Sequence, residues 1–136
     1  MAANVLVDAG FLVGLLSRRD NLHDWAVSSA GRFPPPWKTC EAVLSEAFFL
    51  LGVRAGHPLR ELLRRRALEV AFDFGRDADA VLRLMQKYGD VPASFADACL
   101  LRMTETLPDP ILLTPDSDFR TFRRHGRQVV PTISPA

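Results

Sequence analysis

Two short apolar runs, each followed closely by an acid, restrict most strongly what this chain can fold into. The runs are VLV at residues 5–7, followed at once by Asp8, and ILL at residues 111–113, followed within three residues by Asp116. Short apolar runs bounded by turn residues are typical of buried strands in parallel sheets. Helical spacing of apolar residues follows the first run, and strands that alternate with helices predict an α/β three-layer sandwich with a mainly parallel central sheet flanked by helices.

Three further elements are predicted from local signals. Thr39 is a good N-cap for a helix that reads CEAVLSEAFFLLGVR. Ser94 begins a helix that extends to about Thr106, and residues 128–133 form a last strand. We therefore expect helices between successive strands over most of the chain.

Length and composition bound the class of protein. The chain has 136 residues, which predicts a single domain over residues 1–136. No apolar run reaches the roughly 20 residues that span a bilayer, and Asp8 interrupts an N-terminal stretch without a basic region, which is a poor signal peptide. Cys40 and Cys99 have no metal-ligand spacing and are typical of a reducing compartment. We expect a cytoplasmic protein with no membrane contact.

Acidic residues follow two of the predicted strands. In open parallel sheets, functional groups collect just beyond the carboxyl ends of the strands, and Asp8, Asp116 and Asp118 occupy such positions. The alternative for each residue is a helix N-cap or a turn aspartate, which is common at such junctions. For either strand end taken alone, this structural alternative is the stronger interpretation.

Two more acids lie among apolar residues of predicted helices. The helical neighbours of Glu46, three and four positions away, are Ala42, Val43, Phe49 and Leu50. A carboxylate on such a face is costly to desolvate without a donor or cation, although its tip can also reach the helix edge or pair with an arginine. Asp97 lies three residues after Ser94, so it is either a capping-box acid or, given its apolar neighbours, part of a buried site.

Taken together, these acids favour a cation site. Asp8, Glu46, Asp97 and Asp116 come from separate predicted elements, and clustered carboxylates repel one another unless a cation lies among them. An all-oxygen set of ligands suits Mg²⁺ or Mn²⁺ rather than zinc.

The net charge of +1 conceals segments of opposite sign. Residues 88–118 contain six acids against one arginine, whereas residues 119–136 contain four arginines and no acid. Residues 54–68 contain five arginines against one glutamate. An acidic pocket flanked by arginines suits a phosphodiester substrate, although each arginine cluster is also explained as a solvated surface.

Four segments of the chain carry a resemblance to a known family: VLVDAGFLVGLLSRRDNLHDWA, AVLSEAFFLL, YGDVPASFADACLLRMTE and ILLTPDSDF. In these segments the chain resembles PIN-domain ribonucleases, specifically the VapC-like toxins of bacterial toxin–antitoxin pairs. The acidic positions of that family fall on Asp8, Glu46, Asp97 and Asp116, with Asp118 as the frequent extra acid and Thr114 at the hydroxyl position. The chain departs from the family at Ala9, where many relatives have Thr or Ser, and at Pro115, but neither departure removes a metal ligand.

The resemblance implies a PIN-like sandwich and a metal-dependent hydrolase of single-stranded RNA. The four acids would hold one or two Mg²⁺ or Mn²⁺ ions, directly or through water, with Thr114 in support. Glu46 or Asp118 would orient or deprotonate the attacking water. The candidates for contacts with the RNA backbone are Arg120, Arg123 and Arg124.

A toxin also implies protein partners. The resemblance implies a short antitoxin whose tail occludes the pocket, and a homodimer for which the apolar helix around Phe48 and Leu51 could supply the interface.

Two other functions compete with a nuclease. One is a non-catalytic PIN-like module that binds RNA or protein. The other is an aspartate-phosphorylated domain, which needs a lysine beside the phosphoryl group, but Lys38 and Lys87 are the only lysines and neither follows a convincing strand. We rank the second alternative low.

Overall fold

The computed structural model describes residues 3–91 and 93–135. Its central sheet contains β1 (Asn4–Val7), β2 (Trp37–Thr39), β3 (Leu68–Val70), β4 (Pro110–Leu113) and β7 (Thr132–Ile133). The strand order is β3-β2-β1-β4-β7, and every neighbouring pair is parallel. A separate antiparallel hairpin pairs β5 (Arg123–Arg124) with β6 (Gln128–Val129).

Helices connect the strands and flank the sheet. They are α1 (Ala9–Leu16), α2 (His23–Arg32), α3 (Glu41–Arg64), α4 (Phe74–Lys87) and α5 (Phe95–Thr106), with a short 3-10 helix at Ser117–Arg120. This architecture confirms the predicted α/β class with a mainly parallel, helix-flanked sheet. In the described part of the chain, no helix combines the length and the apolar character needed to cross a membrane.

The apolar runs that predicted strands form the centre of the sheet. β1 pairs with β4 so that Leu6 lies opposite Leu112 and Val7 lies opposite Leu113, and all four side chains are fully buried. Burial on both faces explains why these strands are continuous apolar runs rather than alternating ones. Because the pair is parallel and in register, the residues that follow Val7 and Leu113 leave the sheet at the same edge.

Tight packing at that edge depends on a glycine. Gly10 lies in the first turn of α1, and a Cβ atom built there would approach Cγ of Pro115 to 2.6 Å. A proline ring cannot move aside as a flexible side chain can, so the position requires glycine. Pro115, the less usual residue of the acidic segment after β4, therefore packs directly on the helix that follows Asp8.

The local predictions succeeded at one helix and failed at two other points. Ser94 caps α5, as predicted, and the helix ends at Thr106. Thr39 is not an N-cap, because it lies in β2 and its hydroxyl donates to the carbonyl of Val7 at 2.9 Å, so that Cys40 precedes α3 instead.

The helix predicted after Thr39 forms the first part of α3, which has a break at Gly52, where φ is 73°. The predicted last strand over residues 128–133 is divided into β6 and β7, which belong to different sheets. Pro131 lies between them and has no backbone N–H for a continuous ladder.

Candidate active site

Asp8 lies at the point where β1 passes into α1. It is the N-cap of α1, where its Oδ1 accepts a hydrogen bond from the backbone N–H of Phe11 at 2.9 Å. Its Oδ2 accepts a second hydrogen bond from the hydroxyl of Thr114. The side chain is 8% exposed, and burial raises the pKa of Asp8 from 3.8 to about 7, with smaller contributions from the negative charges of Asp116 and Asp97.

Thr114 links the two strand-end acids. It follows β4, is fully buried, and accepts a hydrogen bond from the backbone N–H of Asp116 at 3.0 Å while it donates to Asp8. Asp116 in turn caps the 3-10 helix, because its Oδ1 accepts from the backbone N–H of Asp118 at 2.9 Å. The buried threonine hydroxyl therefore fixes the positions of the ends of β1 and β4 relative to each other.

Asp97 combines the two interpretations that its sequence position allowed. It forms a capping box with Ser94: its backbone N–H donates to Ser94 Oγ at 3.0 Å, and its Oδ2 accepts from the backbone N–H of Ser94 at 3.1 Å. It also borders the same cavity as Asp8 and Asp116. Burial raises the pKa of Asp97, and the charges of Asp116 and Glu46 act in the same direction.

Glu46 is exposed, so it matches the second of its two interpretations, a carboxylate whose tip reaches the helix edge, rather than a buried carboxylate. Two of its apolar neighbours, Phe49 and Leu50, are themselves 84% and 56% exposed, whereas Val43 is buried. Glu46 nevertheless borders the acid cavity from α3.

A single cavity of about 230 Å³ brings the four predicted acids together. Its lining residues, which include no lysine, arginine or histidine, are Asp8, Ala9, Gly10, Val43, Glu46, Ala96, Asp97, Leu100, Pro115 and Asp116. The carboxylates come from the ends of β1 and β4 and from α3 and α5, so the fold assembles groups that are up to 108 positions apart in sequence. Gly10, which sequence reasoning missed, belongs to this wall, and no spacing signal marked it.

The carboxylates face backbone amides and the threonine hydroxyl in this conformation. Within residues 3–91 and 93–135, no three His, Cys, Asp or Glu side chains are grouped closely enough to hold a metal ion as they stand. The donor chemistry still suits a hard divalent cation, since every ionisable group on the cavity wall is a carboxylate. Burial and the neighbouring negative charges both disfavour the ionised forms of Asp8 and Asp97 and so raise the pKa of each. A bound cation would offset both effects by stabilising the ionised carboxylates.

The structure separates the other predicted site residues into groups with different roles. The side chain of Asp118 is half-buried and is not part of the cavity wall, while its N–H supports Asp116. Arg124 donates to the carbonyl of Thr104 near the end of α5, and Arg123 donates to the carbonyl of Arg120 at 2.6 Å. Of the three predicted RNA contacts, Arg120 is the exposed one.

A parallel α/β sheet with carboxylates gathered beyond its strand ends defines the class of protein: one with an acid-lined site at the carboxyl edge of the sheet. The PIN domain family matches residues 5–125, and the chain therefore belongs to that family. PIN domains are generally nucleases and usually use divalent metal ions, so the chain is a nuclease-type module. A comparison with curated proteins found no match.

Proposed function

We propose that this protein is a metal-dependent endoribonuclease that hydrolyses phosphodiester bonds of single-stranded RNA, and that it is the toxin of a toxin–antitoxin pair. The observation that carries the proposal is the cavity wall with Asp8, Glu46, Asp97 and Asp116 and no cationic side chain. Four acids and no base form a poor structural core but a good site for Mg²⁺ or Mn²⁺.

Asp8, Asp97 and Asp116, with Glu46 at the exposed margin, are the residues that would hold the ion. Such an ion lowers the pKa of water and stabilises negative charge on a phosphate. Backbone N–H groups of Phe11, Ser94 and Asp118 donate to these carboxylates and restrain them, while the remaining lone pairs of the carboxylate oxygens would be available to a cation. The Thr114 hydroxyl adds a further restraint on Asp8.

Glu46 is the better candidate for orienting the attacking water. It borders the cavity and is exposed, so it can contact a water molecule that enters from solvent. The side chain of Asp118 is not part of the cavity wall, and its backbone N–H, which donates to Asp116 Oδ1 at 2.9 Å, helps to position that carboxylate. Arg120 is proposed to bind the RNA backbone, whereas Arg123 and Arg124 stabilise the segment that carries it.

Purified protein is expected to cleave a single-stranded RNA oligonucleotide when Mn²⁺ or Mg²⁺ is added, and EDTA is expected to stop the reaction, because clustered carboxylates need the cation to act. The measurement is gel analysis of labelled RNA, with single-stranded DNA of the same sequence as the substrate control. An absence of cleavage, together with no Mn²⁺ binding by calorimetry at about millimolar concentration, would favour the non-catalytic binding module.

The toxin assignment rests on a protein partner. A short antitoxin is expected to co-purify with this chain when the adjacent gene is co-expressed, and to inhibit RNA cleavage by covering the acidic cavity. Titration of the activity with that protein measures the inhibition. An active nuclease with no such neighbour would keep the enzyme assignment and remove the toxin assignment.

A homodimer remains part of the proposal, with an interface on the apolar helix around Phe48 and Leu51. Phe48 and Leu51 are half-buried and pack partly against the core. Leu50 and Val53 beside them are 56% and 90% exposed, and they are the apolar residues that a second copy would cover. The cytoplasmic location stays a prediction.

A further inference from the structure

A second cavity opens beside the acid-lined one. It has a volume of about 570 Å³ and is lined by Ala42, Ser45, Glu46, Phe49, Ser94, Phe95 and Ala96. Glu46 and Ala96 also belong to the wall of the acid-lined cavity, so the two cavities share a border between α3 and α5. A polymer that binds at the acid-lined cavity can therefore extend directly into the second cavity.

Two phenyl rings form the apolar part of the second cavity. Phe49 is 84% exposed on α3, and Phe95 is 40% exposed at the start of α5. The ring of Phe95 is fixed from behind by Phe74, with ring centroids 5.0 Å apart and an interplanar angle of 77°. One ring is thus held in place and the other is open to solvent.

The charge of the second cavity determines which part of a nucleotide could bind there. Glu46 is the only charged residue among the described residues that line it, and a phosphate would be repelled there. A nucleobase is neutral and planar, and the hydroxyls of Ser45 and Ser94 can bond its edges. The lining therefore suits a base whose phosphates lie outside the cavity.

We propose that Phe49 and Phe95 form a base-stacking subsite for the nucleotide next to the scissile phosphate of a single-stranded RNA. The inference rests on the proposed ribonuclease function and adds a subsite for the substrate. Aromatic rings stack with any base, so the subsite favours single strands without reading a strict sequence. A base in a duplex cannot leave its stack without a cost in free energy, so a subsite of this kind predicts a preference for unpaired RNA.

The first test is steady-state cleavage of an RNA oligonucleotide in Mn²⁺ by Phe49→Ala, Phe49→Leu and Phe49→Tyr. The loss of one stacked base is expected to raise KM on the order of tenfold in the alanine and leucine variants. The tyrosine variant keeps the ring and is expected to retain the wild-type KM. Because Phe49 is 84% exposed, these changes leave the core intact.

The matched control is Leu82→Ala, which shortens an apolar side chain that is 53% exposed on α4, outside both cavities and outside the proposed dimer surface. Its KM for RNA is expected to be unchanged. Sedimentation of all variants separates RNA binding from protein association: a Phe49→Ala variant with altered association and wild-type KM would assign the cavity to a protein partner and overturn the subsite.

The second test removes the base instead of the ring. An oligonucleotide with an abasic nucleotide on one side of the cleaved bond is expected to raise the wild-type KM by the same factor as Phe49→Ala, and the two changes are not expected to add. Additive effects, or equal KM values for wild type and Phe49→Ala, would contradict the proposal.

A third measurement distinguishes failure of the subsite from failure of the nuclease assignment. RNA that contains 5-bromouridine is irradiated with the protein in EDTA, and the crosslinked peptide is identified by mass spectrometry. A crosslink at Phe49 or Phe95 supports the subsite whether or not the protein cleaves RNA. Crosslinks found only elsewhere would overturn the subsite, while cleavage in Mn²⁺ alone decides the nuclease assignment.

Discussion

The Asp97→Asn variant is expected to lose RNA cleavage in Mn²⁺ by a factor on the order of 100 or more, because it removes one carboxylate from the wall that would hold the cation. Asparagine preserves the shape of the side chain and its carbonyl can still accept from the backbone N–H of Ser94, so the capping box survives. The measurement is the single-turnover rate at saturating protein, which separates chemistry from RNA binding.

Asp73→Asn provides the matched control. Asp73 caps α4 as Asp97 helps to cap α5, with its Oδ1 accepting from the backbone N–H of Arg76 at 3.3 Å, but it does not border the acid cavity. Its cleavage rate is expected to equal that of the wild type. Wild-type activity in Asp97→Asn would refute the assignment of this cavity as the active site.

The metal-free protein is expected to lose stability as the pH rises from about 4 to about 7. Burial raises the pKa of Asp8 from 3.8 to about 7, so over this interval the unfolded carboxyl is ionised while the folded one keeps its proton. Unfolding therefore releases a proton, and each rise in pH favours the unfolded state. The shift corresponds to a loss of about 4 kcal/mol, which is complete above the folded pKa.

Urea unfolding in EDTA at several pH values, with wild type and Asp8→Asn side by side, isolates this contribution from that of other titrating groups. Asparagine carries no charge, so the wild type is expected to lose about 4 kcal/mol relative to Asp8→Asn between pH 4 and pH 8. Parallel pH profiles would contradict the burial of an ionisable Asp8.

Divalent metal gives the complementary result in the same experiment. At pH 8 the ionised Asp8 favours a bound cation, so Mn²⁺ is expected to raise the unfolding free energy of the wild type and to have little effect on Asp8→Asn. Buried Asp8 then lowers the stability of the metal-free protein, and in the presence of metal it supplies a ligand. Such a trade-off between stability and function is common at functional sites.

Much of the site was predictable because its acids follow local rules. Asp8 and Asp116 come after apolar runs that are typical of buried strands, and the carboxyl ends of parallel strands lie at one edge of the sheet. Asp97 follows a serine at capping-box spacing. The resemblance to PIN-domain ribonucleases identified the four acids as a set, and all four line one cavity in the structure.

The exposure and the partners of side chains were less predictable. Glu46 has apolar helical neighbours, but two of them, Phe49 and Leu50, are exposed because nothing in residues 3–91 and 93–135 packs fully over that side of α3. Arg124 belongs to a basic segment that suits RNA, yet it donates to a backbone carbonyl of α5. Neither outcome could be read from spacing, because each depends on an element distant in the chain.

The sequence by itself determined the fold class, the strand-end acids and the capped start of α5, because hydrophobic periodicity and capping act over a few residues. Only the tertiary structure decided that Thr39 bonds β1 rather than capping α3, that Gly10 must admit Pro115, and that a cavity flanked by phenyl rings adjoins the acids. The physical reason is that these features are contacts between segments far apart in the chain. The energy of such a contact depends on which surfaces pack together, and a local sequence pattern does not contain that information.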